Sequence, residues 1–255
     1  MANHTIHLLD VTSLDQFFVT LASQNLIYWF ACYVIIYRLL SANAHTLIPR
    51  GELITAVIVG FAIMAFSFLN YYLAVGLIGT AVSLWLLSRY RAAPALRSAG
   101  IVLLALCIHL VWAKLIFQIF QPYILLADAF AVDMAIKMFG LDIIREVTTF
   151  RHNGHAVILT RLCSSFHNIS LALLIGTSAI FLVRSYWVST DVLWLPMICF
   201  LMVFVNIVRL IILAWSYEHY EYWHHGPGTP VLAAIQTAIL AFASFFAAYR
   251  GKADR

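Results

Sequence analysis

The chain has 255 residues, 64% of them hydrophobic and only 10% charged, with a formal net charge of +4. An ordinary soluble domain is excluded, because its charged fraction would be about 25%, and so small a basic surplus reports orientation in a bilayer, not nucleic-acid binding. The class that fits is an all-α polytopic membrane protein: several apolar runs reach the roughly 18 residues that cross a hydrocarbon core of about 30 Å, and none shows the strict alternation of a strand.

In chain order the pattern predicts about seven transmembrane helices. Residues 1–16 carry no Lys or Arg and no cleavable signal pattern, so the first span is expected to remain in the mature protein. Span one, about 25–40, closes near Arg38 and leads to Pro49-Arg50-Gly51. Span two, 53–69, turns at Asn70-Tyr71-Tyr72 into span three, which ends near Leu87. The densest arginine cluster follows, Arg89, Arg91 and Arg97, and marks a cytoplasmic loop. Span four covers about 99–120.

Between residues 121 and 162 the pattern changes. Pro122 interrupts, and 127–140 carries Asp128, Asp133 and Lys137 among apolar residues, which reads as an interfacial or re-entrant helix. From 141 to 160, β-branched residues, charges and the Asn153-Gly154 signal predict a short extracytoplasmic strand-turn segment. Span five, 166–183, span six, 193–215, and span seven, 231–248, complete the set before a basic tail. The whole reads as one integral membrane domain: a four-span part over 1–120, the intervening segment 121–162, and a three-span part over 163–248.

With the N-terminus outside, nine Lys and Arg fall on the inner side and four on the outer, all four of them in the long loop. That orientation puts Cys163 at the outer start of span five, Arg209 near the outer end of span six and His224 in the loop beyond it. Cys32, Cys107 and Cys199 lie in apolar runs without CxxC spacing and read as small buried hydrophobes, so neither metal nor cofactor is expected. Cys163 stands among polar residues at a helix start. A thiol has a reference pKa of about 8.5 and needs a cation, a helix N-terminus or a base to react near neutral pH. Arg209 is costly inside a span unless it faces a polar cavity. Asn206, three residues earlier, projects from the same face and could share that pocket. His224 and His225 precede Gly226-Pro227-Gly228, and His167 lies one turn from Cys163 as a local alternative base. Taken singly, each of these histidines is also readable as a surface residue, and the Asn206–Arg209 pair as a helix–helix contact with a snorkelling arginine.

Together, Arg161-Leu162-Cys163-Ser164-Ser165 before an apolar helix, Asn206-Ile207-Val208-Arg209 ending another, and His224 four residues before Gly228 resemble the motifs of the exosortase/archaeosortase family. The similarity covers about 122–248. It implies a membrane cysteine transpeptidase that cuts C-terminal sorting signals of the Pro-Glu-Pro type on exported proteins, commonly beside exopolysaccharide genes. Carried over, Cys163 is the nucleophile, Arg209 the partner of the oxyanion or carbonyl, and His224 the acid/base. Asn206, His225, His167 and Ser164 are supporting or alternative residues. Cys163-Ser164-Ser165 departs from the family's usual Cys-Ser-Gly, and Phe166-His167 stands where Leu-Arg is common, which implies a divergent member.

The implied setting is the outer face of the inner membrane. The implied partner is a membrane-anchored protein substrate with a C-terminal sorting signal; the acyl acceptor is left open. A rival of another class is a non-catalytic component of polysaccharide assembly or transport, in which Arg209, Lys114 and the histidines line a polar path and Cys163 merely packs.

Overall fold

The computed structural model describes residues 26–42, 72–90 and 93–253, with Gly51, Ile54 and Ile58. The chain divides into two compact units, 1–106 and 107–255. In the first lie helices α1 (Leu26–Ala42), α2 (Tyr72–Arg89) and most of α3 (Pro94–Cys107). Pro94 opens α3, where its missing N–H costs nothing. Leu39 and Ala42 of α1 pack on Ala93, Leu96 and Ala99, and Ser83 of α2 donates to the Gly100 carbonyl at 2.6 Å.

In the second unit a five-residue π turn (Ile108–Trp112) leads into α4 (Ala113–Met138). Phe120 leaves helical geometry there (φ −109°, ψ 15°), two residues before Pro122, whose ring and missing N–H account for the kink. Three antiparallel strands follow, β1 (Ile144–Glu146), β2 (Thr149–His152) and β3 (His155–Ile158), in that order across the sheet. His152 pairs with His155 around Asn153-Gly154, both at positive φ, the geometry of a type I′ hairpin. A 3₁₀ turn (Arg161–Cys163) then delivers the chain to α5 (Ser165–Val183). Next come α6 (Asp191–Trp215), the single turn α7 (Tyr217–Tyr220), a π turn (Glu221–His225) and α8 (Gly228–Ala253).

Helix α5 packs against both α6 and α8, which also touch each other. It is buried around most of its circumference, with Leu174 to Phe181 all inaccessible, as a helix apolar on every face should be. Gly176 lets α6 come close: a Cβ there would lie 2.7 Å from Leu195 Cδ2. At the far end of the trio Arg184 ion-pairs with Asp191 and donates to the Gly251 carbonyl at 3.1 Å. One buried guanidinium thereby ties α5, α6 and α8.

Among the described residues four runs are long and apolar enough to cross a membrane: Pro94–Met138, Ser165–Val183, Asp191–Trp215 and Gly228–Gly251. Helices α1 and α2 stand at the places expected for spans one and three, with described apolar stretches Ile27–Ala42 and Gly76–Arg89. Span two, the turn at Asn70-Tyr71 and the N-terminal stretch 1–16 lie outside the described residues. The described residues are thus mainly helical with one small sheet, consistent with an all-α membrane protein. The segment expected as a separate interfacial helix is instead the continuation of span four through the Pro122 kink. The 45-residue run is about twice as long as the roughly 20 residues one span needs, and the part bearing Asp128, Asp133 and Lys137 is its C-terminal end. The expected strand-turn segment is present as the three-stranded sheet.

Candidate functional site

The site is built where the sheet returns the chain to the helices. Ile143, Phe150 and Leu159, from the sheet and its flanks, join Leu125, Ala129 and Val132 of α4 and Leu210 of α6 in one apolar cluster that includes Cys163. The cysteine is only 3% exposed. Its Sγ lies 3.6 Å from Thr160 Oγ1.

Cys163 precedes α5 instead of lying in its first turn. Ser164 is the cap, its hydroxyl accepting from Phe166 N at 3.2 Å. That hydroxyl donates to Asp128 Oδ2 at 2.8 Å, and Ser165 N donates to the same oxygen at 3.0 Å. A carboxylate from α4 thus occupies the positive end of α5. In the sequence Asp128 is only a charge among apolar residues, because nothing local links it to a helix 36 residues on.

Asn206 is fully buried. Its Nδ2 donates to the Cys163 carbonyl at 2.9 Å and to Ser165 Oγ at 3.0 Å, so α6 fixes the backbone of the cysteine turn. Arg209 lies one turn further along α6, half-buried, and its Nε is a buried donor with no hydrogen-bond partner among the described residues. Such a donor in a protein interior is an exception that asks for a ligand or a function.

His224 sits in the π turn ahead of α8. Its ring stacks on Tyr220, with centroids 4.8 Å apart and an 11° interplanar angle, and its Nδ1 is 3.2 Å from His225 Nε2. Partial burial first, then the charges of His225 and Arg209, hold its imidazole below the usual histidine range, against a smaller opposing pull from Glu221. The neutral ring is the form that accepts a proton. Gly226 permits this turn: a Cβ would come within 2.9 Å of the Glu221 and Tyr222 carbonyls.

Two groups result. Cys163, Ser164, Ser165, Asn206 and Asp128 form one hydrogen-bonded network; Arg209, His224 and His225 form an electrostatic one; α6 joins them through Asn206 and Arg209. Among the described residues no hydrogen bond runs from the Cys163 thiol to Arg209 or His224. His167 turns elsewhere, toward His109, with ring centroids 5.2 Å apart. His155 Nε2 meets the Leu213 carbonyl at 3.2 Å, docking the sheet on α6, and His219 meets Ser216 at 2.6 Å. Among the described residues no three metal-ligating side chains gather.

Comparison of the chain with protein-family models, with curated proteins and with solved structures finds no significant match in any of the three.

Proposed function

We propose that the chain is an exosortase-like cysteine transpeptidase that processes C-terminal sorting signals of exported proteins at the outer face of the inner membrane. The observation that carries the reading is on α6: Asn206 holds the Cys163 turn while Arg209, three residues on, has an unpartnered buried Nε and a charge felt by His224. The outward orientation rests on the nine-to-four distribution of Lys and Arg.

In this reading the Cys163 thiol gives its proton to His224 and Sγ bonds to the carbonyl carbon of the scissile peptide. Arg209 donates to the resulting oxyanion. As the C–N bond breaks, His224 returns the proton to the leaving amine. An acceptor amine or water then attacks the thioester, releasing the thiol. A substrate with a motif, a span and basic residues at its C-terminus would place its signal beside Cys163 by lying along the helices.

The test is co-expression with such a substrate. Cys163→Ala should abolish processing while the chain remains folded and inserted, since removing one buried sulfur costs little stability; Arg209→Lys should also fail, because an ammonium lacks the planar fork. Normal processing by Cys163→Ala would overturn the proposal. The burial of the thiol in an apolar cluster favours the rival reading, a non-catalytic part of polysaccharide assembly or transport. A thiol probe that labels Cys163 rapidly near neutral pH argues for the enzyme; an inert thiol argues for the rival.

A further inference from the structure

A cavity of about 250 Å³ is lined by His109, Lys114, Arg161 and His167, with Phe117, Phe166, Ala113 and Ser170. Phe117 and Phe166, ring centroids 6.4 Å apart, also pack on the Cys163 cluster, so they form the wall between that cluster and this cavity. Its deepest basic group is His109, 3% exposed, while Arg161 and His167 stand exposed at the rim.

The chemistry is legible atom by atom. His109 Nδ1 lies 2.9 Å from Ser170 Oγ. That hydroxyl already donates its single proton to the His167 carbonyl at 2.8 Å, so Nδ1–H is the donor and His109 Nε2 is the acceptor nitrogen of the neutral ring. The charge of Arg161 reaches both Lys114 and His167, and that of Lys114 reaches both imidazoles. Cations gathered this closely repel one another, and an anion among them would be attracted to each and offset that repulsion. The π turn Ile108–Trp112 presents His109 here, and π turns inside helices recur at functional sites.

We propose that this cavity binds the phosphate monoester head of an anionic lipid. Two basic side chains, Lys114 and Arg161, are suited to offset the roughly −1.5 to −2 charge of such a group near neutral pH. Arg161 offers a planar fork to two oxygens, Lys114 a point charge, and His109 Nε2 an acceptor for the residual P–OH proton. The volume lies below the roughly 300–1,000 Å³ of pockets that enclose drug-sized ligands, which suits a headgroup whose remainder lies outside. Lipid is favoured over soluble phosphate because His109, Lys114 and His167 all lie on helical runs apolar enough to span a membrane. The site goes beyond the transpeptidase reading and does not require Cys163 to react.

The experiment uses the full chain in phosphatidylcholine nanodiscs, with phosphatidic acid, phosphatidylglycerol or inorganic phosphate as probe and bound ligand or thermal midpoint as readout. Phosphatidic acid should bind at least tenfold more tightly than phosphatidylglycerol. Lys114→Gln and Arg161→Gln should each weaken it about tenfold or more, as loss of a charged hydrogen bond does, and Lys114→Arg should retain it. Arg151→Gln, at an exposed arginine paired with Glu146 on the sheet, should change nothing. If Lys114→Gln fails to fold, Arg161→Gln at the rim and Lys114→Arg carry the test. Equal binding of phosphatidylglycerol overturns the monoester; inorganic phosphate binding as tightly as the lipid overturns the lipid; undiminished binding by Arg161→Gln overturns the site.

Discussion

Asp128 Oδ2 accepts from the Ser164 hydroxyl at 2.8 Å and from Ser165 N at 3.0 Å, so a carboxylate beyond the Pro122 kink of α4 caps the helix that follows the candidate nucleophile. The relationship alters how Cys163 is to be understood. A thiolate at the head of a helix gains from unpaired N–H groups and the dipole, yet here Asp128 and Ser164 already take the first of those donors. In the proposed mechanism, activation of Cys163 would therefore fall to Arg209 and His224.

Replacing Asp128 by Ala should destabilise the start of α5. Ser164 and Ser165 would each lose an acceptor, and the expected loss is about 1–2 kcal/mol in thermal or denaturant unfolding of the purified protein. Asp128→Asn keeps one acceptor oxygen and should recover part of it. An unchanged midpoint for Asp128→Ala would show that the cap is dispensable.

Asn206 presents a sharper case because it is wholly buried. Asn206→Leu leaves the Cys163 carbonyl and Ser165 Oγ without their donor, at a cost of about 1–3 kcal/mol. Asn206→Asp should cost more, since a carboxylate donates only when protonated and is otherwise a buried charge. With Cys32, Cys107 and Cys199 replaced by alanine, maleimide labelling of Cys163 should quicken in Asn206→Leu as the turn loosens.

Much of this architecture was legible because it is local. Apolar length placed α5, α6 and α8, and Asn153-Gly154 placed the hairpin. What sequence did not reveal depends on pairing across distance. Asp128 reads as one charge among apolar residues, and its partners Ser164 and Ser165 stand 36 and 37 residues further along the chain. His167, a candidate base by its spacing from Cys163, faces His109 across a different cavity, which helical phase alone could not foretell. Sequence placed Asn206 on the same helix face as Arg209; that its amide donates to the Cys163 carbonyl and Ser165 Oγ depends on contacts across more than 40 residues.

At the opposite end of the three helices, the Arg184–Asp191 pair is buried on both sides, 2% and 0% exposed. Removing one partner leaves a charge without its counter-ion in a place closed to water, so Asp191→Ala should lower stability by about 3–5 kcal/mol. The double change Arg184→Leu with Asp191→Leu should be milder than the sum of the two single ones, since neither charge is then stranded. Strict additivity in a double-mutant cycle of unfolding would mean that the pair does not act as a unit.

His224 is held below the ordinary histidine value of about 6.5 by partial burial, then His225, then Arg209. The folded protein disfavours the imidazolium, so between that lowered value and about 6.5 the unfolded chain binds more protons, and stability rises with pH across this window, reaching its full value above it. If His224 is the base, the rate of processing should follow the same titration, falling on the acid side as the ring takes up a proton. His225→Gln and Arg209→Gln each remove a neighbouring positive charge and should raise the His224 pKa, His225→Gln at least as far as Arg209→Gln. A ring-proton titration of His224 followed by NMR in each variant checks the shift without needing turnover. Should neither substitution move it upward, the electrostatic coupling of Arg209, His225 and His224 is not what sets the protonation of this site.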